Sequence, residues 1–524
     1  MKLKNFYLWS LSTGVLITGV LYSCKKPSDL NTTDPNNVTT SQYFKSSGQL
    51  TNALNGAYST IQSLNLVGRE WFFVHDTRSD EVASGGGQLE VSRGQLLNGV
   101  EDPSNEVMNR VWNGWYSAIF RTNIVLDNAP FVTDNVAIRD RDVAEAKFLR
   151  AWGYFDLVTM WGGVPLYTST IKSSANYQPR AAVSTVYTQI INDLKDAAAA
   201  LPGKSGTDKG RVTASAANAL LARVLMQKGD FAGAKAALLN ITTSSDGYSL
   251  TPRYLDNFEL ETEFNNESIF EMIYVDKNDG GFNWGGENPT EAQTTVRNQE
   301  YNPIAWRNLI PSNKLLNEFE NTSTGASKTD PRYSYTVYQT GDVYNNGKDV
   351  LTNAEQNGNS SVVNGITKKV SFRKFMIIYQ EGLPLAGFHP GGNNQRIIRY
   401  AEVLLNLAEC ENELGNSAGA IAYLNMVRAR PDVSMPPYPT NQFPVNSKNE
   451  IIKAIMHEKM VEMGDEEVRN IDILRWRNEG YFTSGPYNTD PLPYFKKNRD
   501  ELLPIPQAEL DNNPKVSGHQ NPGY

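Results

Sequence analysis

Apolar residues recur at helical spacing along most of the chain, and this pattern predicts a mainly α-helical protein. In 106–129, for example, Val107, Val111, Trp115 and Leu126 lie near one face of a predicted helix. Further helices with an apolar face are predicted at 139–161, 184–201, 213–227, 232–240, 400–414, 418–429, 448–462 and 466–477.

Two of the predicted helical pairs share a local sequence. GDFAGAKAAL at 229–238 matches GNSAGAIAYL at 415–424 at its Gly residues, at most of its Ala residues and at the final Leu. The pattern is close to the turn of a tetratricopeptide hairpin, in which Gly ends one helix and small Ala side chains let the next helix pack closely. Because the copies lie far apart, we expect separate helical pairs within one scaffold rather than a continuous solenoid.

A stretch of different character, 245–397, interrupts the helical pattern. It is rich in Asn, Gly, Thr and aromatic residues, and its only β-like runs are short, at 268–275 and 370–379. Long irregular segments in compact proteins are usually functional or disordered, and the aromatic content favours an ordered segment. The predicted organisation is one domain, 41–524, with a tetratricopeptide-like helical scaffold at about 41–244 and 398–524 and a loop-rich insertion with minor β structure at about 245–397.

The composition is that of a folded protein that does not bind nucleic acid. Of the 524 residues, 40% are hydrophobic and 20% are charged, which suits a globular chain. The net charge of −8 would repel a phosphate backbone, so nucleic acid is not expected as a partner. The chain also carries 25 Tyr, 20 Phe and 9 Trp, some of them in Gly- and Asn-rich stretches where core packing is a weaker explanation.

The first 23 residues have the pattern of a bacterial lipoprotein signal peptide. Two lysines precede an uncharged apolar run at 6–21, which is too short for a comfortable membrane-spanning helix. Leu21 stands three positions before Cys24, and the small Ser23 stands directly before it, as in a lipobox. We therefore expect cleavage before Cys24 and acylation of its thiol, since each buried acyl CH₂ contributes about 0.8 kcal/mol to membrane binding.

The residues after Cys24 predict a tether and no second membrane segment. The polar, turn-rich 24–40 suits a flexible lipidated linker, and no other long apolar run follows. An ordinary secreted protein with a chance cysteine is the alternative interpretation. The second cysteine, Cys410, lies on an apolar helical face and is expected to be a small core residue.

The sequence carries no strong enzymatic motif. Its four histidines are scattered, so neither a metal site nor a cofactor is predicted. The residues 415–419 match G-x-S-x-G, but helical residues precede them where a nucleophile elbow requires a strand. A glycosidase needs two carboxylates that flank the bond, and Asp80-Glu81 is a candidate pair, although a turn-forming role is the simpler interpretation.

Four segments, taken together and in this order, carry a resemblance to a known family. They are Cys24 with LNTTDP at 30–35, AEAKFLRAWGYFDL at 144–157 running into WGGVPL at 161–166, IRYAEVLLNLAE at 398–409, and EKMVEMG at 458–464 through DILRWR at 472–477 with LLPIP at 502–506. The set resembles the RagB/SusD family of nutrient-uptake outer-membrane lipoproteins. The resemblance implies a surface-exposed protein, lipid-anchored in the outer membrane, which binds oligosaccharides as the lid of a SusC-like TonB-dependent β-barrel transporter.

Aromatic residues inside the insertion are the first candidates for glycan contact. A sugar offers flat C–H faces to an aromatic ring and hydroxyl groups to amides and charged side chains, so its ligands must be exposed on loops. Phe282, Asn283 and Trp284 stand among glycines and amides and fit this requirement. Tyr301 and Trp306 follow in the same insertion, although Trp306 precedes a helix-like run at 309–320 and could instead serve as its hydrophobic staple.

A second polar and aromatic cluster, at Arg69, Trp71 and Asp80, is predicted to contribute to the same site. Members of the resembling family often build part of the site from the loop after the first helices, here about 68–105. This loop has no tryptophan after Trp71, unlike the better-known starch binders of that family, so the identity of the sugar stays open. The tryptophans at helical spacing are expected in the core: Trp112, Trp115, Trp152, Trp161 and Trp476.

Two alternatives of other classes remain open on the sequence. One is a peptide-binding nutrient-uptake lipoprotein with the same architecture, and the other, weaker one is a surface glycosidase. A peptide groove would carry Asn, Lys or Arg on the concave face of the hairpins, whereas these helices show mainly Ala, Leu and Val. Binding of a glycan without hydrolysis is therefore the leading prediction.

Overall fold

A computed structural model describes residues 43–275, 294–380 and 391–524. Helices dominate the part of the chain before the insertion, as the apolar periodicity predicts. They are α1 (Ser47–Gln62), α2 (Glu70–Thr77), α3 (Val91–Leu97), α4 (Glu106–Asn128), α5 (Val136–Trp161), α6 (Val183–Ala200), α7 (Ala214–Gln227) and α8 (Phe231–Thr242).

Helices are short in the insertion and long again after it. Within the insertion the described helices are α9 (Arg297–Tyr301), α10 (Asn313–Glu318) and α11 (Arg332–Thr336). After it follow α12 (Tyr400–Glu413), α13 (Ser417–Arg428), α14 (Lys448–Met463), α15 (Arg469–Asn478) and α16 (Gln507–Asn512). The mainly α fold class is confirmed.

The long helices pack in sequential pairs. Helices α4 and α5, α5 and α6, α7 and α8, and α12 and α13 are neighbours in space. The two repeated turns have the same construction: Gly229 and Gly415 adopt positive φ, of 73° and 82°, at the end of one helix. The next helix then begins with a side-chain cap, from Asp230 to the amide of Gly233 and from Asn416 to that of Gly419. The predicted helical pairs are therefore confirmed.

Strands are short and form small antiparallel sheets. The strands are β1 (Val82–Ser84), β2 (Ser268–Met272), β3 (Leu309–Pro311), β4 (Val337–Gln339), β5 (Val343–Tyr344), β6 (Asp349–Val350), β7 (Ser361–Val363), β8 (Ile366–Lys368), β9 (Val370–Phe372) and β10 (Gln395–Arg399). Within the described ranges they make five two-stranded sheets, β1–β3, β2–β10, β4–β9, β5–β6 and β7–β8.

Several predicted elements differ from the observed ones. The helix-like run at 309–320 is strand β3 followed by α10, because Ser312 caps a new helix through the amide of Leu315. The run at 370–379 is a strand only as far as Phe372, and Phe375 then turns the chain with φ of 62°.

Two predictions about helices also need correction. Helix α15 begins at Arg469 rather than 466, because Asp465 and Glu467 both adopt positive φ, of 70° and 57°. The segment 68–105, predicted as a loop, contains the helices α2 and α3. Every residue of α2 is buried, so its apolar pattern has no polar face that would reveal a helix.

One hydrophobic cluster extends from Phe44 near the start of the described chain to Val516 near its end. It contains both blocks of helices and the buried side of the insertion. Cys410 is buried in it, and so are the five tryptophans that were predicted for the core: Trp112, Trp115, Trp152, Trp161 and Trp476. No helix in the described ranges is both long and apolar enough to span a membrane.

A buried ionic network joins the insertion to the C-terminal helices. Arg399, at the end of β10, donates to Glu267, Glu462 and Glu466 over 2.6–2.8 Å. Arg430 donates to the same Glu267 and Glu462, over 2.6 and 2.8 Å. Burial raises the pKa of Glu267, but the two guanidinium groups outweigh this effect and lower it to about 2. Glu267 and Glu462, whose pKa values are both lowered by these guanidinium groups, therefore stay ionised inside the protein, and the network holds the two parts of the chain together.

Candidate functional site

Two segments, 276–293 and 381–390, lie outside the described ranges. The described residues next to these two segments lie close together. The Thr294 hydroxyl donates to the carbonyl of Val275 over 3.0 Å. Thr295 and Gly391 exchange backbone hydrogen bonds of 3.0 and 2.8 Å. The amide of Val296 in turn donates to the carbonyl of Gly68 over 3.3 Å. The insertion thus meets the turn before α2 at the place where both segments leave the described structure.

Trp306 lies a short distance along the chain from this meeting point. It is half-buried, and its backbone amide donates to the carbonyl of Gln299 over 3.1 Å. The next residue, Arg307, has φ of 49°, so the chain turns sharply from Trp306 into β3. Trp306, a partly exposed residue, thus lies at the surface beside this turn, as a sugar-contacting residue requires.

A glycine makes a close backbone approach beside this turn. A Cβ atom on Gly85 would lie 1.5 Å from the carbonyl oxygen of Arg307, so no other residue fits there without a shift of the backbone. The carbonyl of Gly85 also accepts from the amide of Asn359 over 2.7 Å. The partly exposed stretch 85–90 and the exposed stretch 357–360 are thereby held next to Trp306 and Arg307.

The Arg307 side chain fixes the second of these stretches. Its guanidinium donates to the hydroxyl of Ser371 over 2.8 Å, to the carbonyl of Val370 over 2.7 Å and to the carbonyl of Asn357. Burial lowers the pKa of Arg307 to about 10, so the group remains cationic at neutral pH. The buried Arg307 side chain fixes the loop at 357–360 through these hydrogen bonds and does not face solvent.

We call Trp306 together with residues 85–90 and 357–360 the Trp306 surface. It offers an aromatic ring, exposed amides at Gln88, Asn357 and Asn359, and the carboxylate of Glu90, whose side chain is half-exposed. Burial would raise the pKa of Glu90, but Arg93 and Arg69 hold it below its ordinary value, so the carboxylate stays ionised as a hydroxyl acceptor. A partly exposed ring beside amides and an acid suits a sugar.

Residues 357–360 belong to this surface but were not predicted as site residues. The sequence feature that could have indicated an exposed loop here is the run of turn formers Asn357-Gly358-Asn359-Ser360, in which Gly358 adopts φ of 79°. Their partners, Gly85 and Arg307, are distant in the sequence, so the pattern alone could not place this loop beside Trp306.

Tyr301 lies in the interior, which corrects the expectation that it is exposed. Its ring is 0% exposed and packs edge-on against Phe72 and Phe73, with centroid distances of 5.3 and 5.6 Å. Its hydroxyl donates to Asp76 over 2.7 Å. Because both the ring and the hydroxyl make contacts inside the protein, Tyr301 packs the end of α9 against α2 and offers nothing to a ligand in this structure.

The cluster of Arg69, Trp71 and Asp80 is also buried, contrary to the prediction that it is exposed on a loop. Arg69 donates to Glu300 over 2.6 Å, and Trp71 donates through its indole nitrogen to Asp156 over 2.6 Å. Asp80 accepts from Arg469 over 2.8 Å. Each group finds its partner on a distant part of the chain, so the three residues stabilise the scaffold around α2. The pairing of Asp80 with Arg469 also weakens the proposal of a glycosidase carboxylate pair at Asp80-Glu81.

The remaining predicted residues cannot be placed. Phe282, Asn283 and Trp284 lie outside the described ranges, and so does Cys24. Their roles in glycan contact and in lipidation stay predictions. The flanking residues Val275 and Thr294 show only where the segment with Trp284 begins and ends.

A cluster of acids lies beneath α9. Single carboxylate oxygens of Asp76, Asp465 and Glu467 lie within 4.8 Å of one another, and all three residues are buried. The guanidinium of Arg297 donates to both Asp465 and Glu467. Burial raises the pKa of Asp465 and Glu467 well above the ordinary range, and Arg297 opposes that rise. The cluster fixes α9 to the loop before α15, below the Trp306 surface.

Comparison with known families agrees with this architecture. A family model described as the SusD family matches residues 266–524, and one described as starch-binding and associating with the outer membrane matches residues 28–226. The two matches together cover most of the chain in the expected order. The chain belongs to the SusD/RagB family, which is a family of non-catalytic glycan-binding proteins.

Individual relatives match over nearly the full length. The SusD-like protein P2 of Formosa agariphila is 26% identical over 98% of this chain and 99% of its own. A SusD superfamily protein from Bacteroides vulgatus has the same fold, with a TM-score of 0.74 over 92% of this chain and 100% of that one, at 21% identity. A solved structure described as a laminarin-binding SusD-like protein gives a TM-score of 0.69 at 26% identity, over 92% of this chain and 100% of that one.

Proposed function

We propose that this protein binds a glycan at the cell surface and passes it to a TonB-dependent outer-membrane transporter, over which it acts as a lid. The similarity to the laminarin-binding SusD-like protein over 92% of the chain carries the proposal. The Trp306 surface supports it, because it combines a half-buried ring with exposed amides and an ionised carboxylate. We place the ligand on this surface and on the adjoining segment that carries Phe282, Asn283 and Trp284.

Trp306→Ala should weaken glycan binding by about 1–3 kcal/mol, which is the contribution of one well-packed aromatic contact. We expect the same range for Trp284→Ala. Calorimetry of both variants against a panel of oligosaccharides, starting with laminari-oligosaccharides, would measure the effect. The matched control is Phe131→Ala, which removes an aromatic ring that is 71% exposed in the turn between α4 and α5. Equal glycan affinities for the wild type and both tryptophan variants would show that the glycan does not bind at the proposed surface.

The same panel separates the three classes of function. Product analysis after incubation with each oligosaccharide should find no hydrolysis, because the proposed activity is binding alone. Tight binding of peptides without binding of any glycan would instead support the peptide-uptake alternative.

Cys24→Ser should release the protein from the outer membrane, because the acyl chains provide most of the membrane affinity. Fractionation of cells that express the wild type or the variant would show the change, and incorporation of labelled palmitate should be lost in parallel. Cys410→Ser is the matched control, since this buried thiol is not available for acylation. A variant at Cys24 that stays in the membrane fraction and still takes up label would contradict the anchor.

The transporter should co-purify with the protein from native membranes solubilised in mild detergent. Mass spectrometry of the purified complex would identify a TonB-dependent β-barrel as its partner. Repeated purification without any such barrel would count against the lid role, and it would leave glycan binding unaffected.

A further inference from the structure

A cavity of about 240 Å³ lies away from the Trp306 surface, between the loop that joins α6 to α7 and the segment that leads into β2. Its walls include Lys204, Lys209 and Arg211 on one side and Phe264, Ser268 and Glu271 on the other. The volume is below the range of about 300–1,000 Å³ that is typical of sites for drug-sized ligands. It suits a single sugar residue of a longer chain.

Phe264 forms a wall of this cavity in an unfavourable backbone conformation. Its φ is 58°, in the left-handed region that a bulky residue rarely adopts. The conformation is held by the carboxylate of Glu271, which accepts from the amide of Phe264 over 3.0 Å. The ring is half-exposed and is not part of the hydrophobic cluster that forms the core of the described chain. Core packing therefore does not account for an aromatic residue at this position.

Most of the charged groups that line the cavity already have partners. Glu271 is already satisfied, because Asn394 donates to its second oxygen over 2.9 Å. Arg211 pairs with Glu145 over 3.3 Å, and the Lys204 ammonium donates to the carbonyls of Asn265 and Ser268, over 2.6 and 3.2 Å.

Lys209 differs from the other two cations. Its ammonium lies 5.3 Å from the centroid of the Phe264 ring. Lys209 is exposed, and its charge acts on the nearby carboxylate of Glu263, whose pKa burial raises and Lys209 lowers, but none of the ion pairs in the described ranges includes it. Asp208, the neighbouring acid in the lining, is exposed at the rim. Within the described ranges, the cavity thus offers an ammonium that is not held in a direct ion pair, next to a ring that a sugar could cover.

The cavity lies close to the point where the chain leaves the described structure after β2. A Cβ atom on Gly210 would lie 2.1 Å from Cδ1 of Ile273, so the loop packs directly on this residue. Two residues later, Val275 is the last described residue before the segment that carries Trp284. A glycan that contacts this segment could therefore extend into the cavity.

We propose that this cavity binds an acidic sugar residue of the glycan, in which a carboxylate or sulfate group pairs with Lys209 while the sugar ring covers Phe264. The inference rests on the proposed function, since it assumes that the ligand is a glycan. It goes further by assigning a second binding position and an acidic substituent to the ligand. Carboxylates and sulfates share the negative charge that Lys209 would recognise, and the probes below separate them.

Calorimetry of the mature chain with three acidic oligomers tests this inference. The probes are oligogalacturonate, an alginate oligomer and a sulfated glucosamine–uronate oligomer, each compared with a neutral laminari-oligosaccharide. For whichever acidic oligomer binds, we expect Phe264→Ala to weaken binding at least tenfold and Lys209→Met to weaken it several-fold. Methyl esterification of the carboxylates of oligogalacturonate or alginate should weaken binding as much as Lys209→Met does.

The controls keep this inference separate from the proposed function. Lys228→Met removes an exposed lysine at the end of α7, and Phe131→Ala removes an exposed ring, and neither should change the affinity. Far-ultraviolet circular dichroism would confirm that Phe264→Ala is folded, and Phe264→Tyr, which keeps the ring, should retain binding. If no acidic oligomer binds, or if Phe264→Ala and Lys209→Met leave binding unchanged, the cavity proposal is overturned. Binding of a neutral glycan that depends on Trp306 would then still support the proposed function.

Discussion

Arg399→Met should lower the free energy of unfolding by about 3–5 kcal/mol, because it removes one of the cations that three buried carboxylates share and breaks a buried ionic network. Arg399 is 1% exposed and donates to Glu267, Glu462 and Glu466. Arg430 can compensate for part of the lost charge at Glu267 and Glu462, and Lys374 remains 2.8 Å from Glu466. Urea denaturation of the wild type and the variant at neutral pH would measure the difference.

Arg253→Met provides the matched control for this prediction. Arg253 also pairs with two acids, Asp256 and Glu259, but its side chain is 49% exposed. Exposed ion pairs contribute about 0–1 kcal/mol, so the control should remain close to the wild type. If Arg399→Met and Arg253→Met have the same small effect, the buried network does not stabilise the junction between the insertion and the C-terminal helices.

The stability of the protein should fall between about pH 6.5 and pH 9 because of one buried histidine. Burial favours the neutral form of His457, but its ring nitrogens face Glu318 at 3.0 Å and Glu320 at 3.6 Å, and these acids raise its pKa from 6.5 to about 9. A raised pKa means that the contribution is complete below pH 6.5 and is lost as the pH rises through 9. The loss should be roughly 3 kcal/mol, at about 1.36 kcal/mol per pKa unit.

The acidic partners of His457 determine the lower pH limit of this stabilisation. Burial raises the pKa of Glu320, but His457 and Arg428 outweigh this effect and lower it to about 2. A lowered pKa means that the stability is present above the ordinary value of 4.5 and is lost as the pH falls towards 2. The pair should therefore stabilise the protein most between about pH 4.5 and 6.5.

Urea denaturation at about pH 6 and about pH 9.5 would test this dependence. His457→Gln should remove most of the loss between the two pH values, since the amide does not titrate. His519→Gln, at an exposed position near the C-terminus, should behave as the wild type. A wild type whose unfolding free energy is as independent of pH as that of His457→Gln would show that His457 is not charged in the folded state.

Local sequence was sufficient to predict the helical pairs. A helix ends at Gly229 or Gly415 because glycine adopts positive φ without strain, and the next helix begins at the Asp230 or Asn416 cap. All of these groups lie within a few residues of one another, so the pattern is visible in the sequence. The core tryptophans are predictable for a similar reason, because their spacing places them on one helical face.

The candidate site was less predictable, because its geometry depends on partners that are distant in the sequence. These residues are buried with a hydrogen-bond partner far away in the sequence: Trp71 with Asp156, Tyr301 with Asp76, and Asp80 with Arg469. The separations are 85, 225 and 389 residues. The polar and aromatic cluster at Arg69, Trp71 and Asp80 therefore resembled an exposed binding loop, although its polar groups form their hydrogen bonds inside the scaffold. Trp306 has the same kind of sequence context, yet it remains half-buried at the surface.

The sequence alone determined the class of this protein. The helical periodicity, the repeated turns and four ordered segments are local patterns, and they are sufficient to predict a helical scaffold of the SusD/RagB family. Only the tertiary structure decided which aromatic and charged residues reach solvent. It brought residues 85–90 and 357–360 to Trp306, and it placed Lys209 over Phe264. The physical reason is that burial depends on the packing of distant segments, and the sequence around a residue does not contain this information.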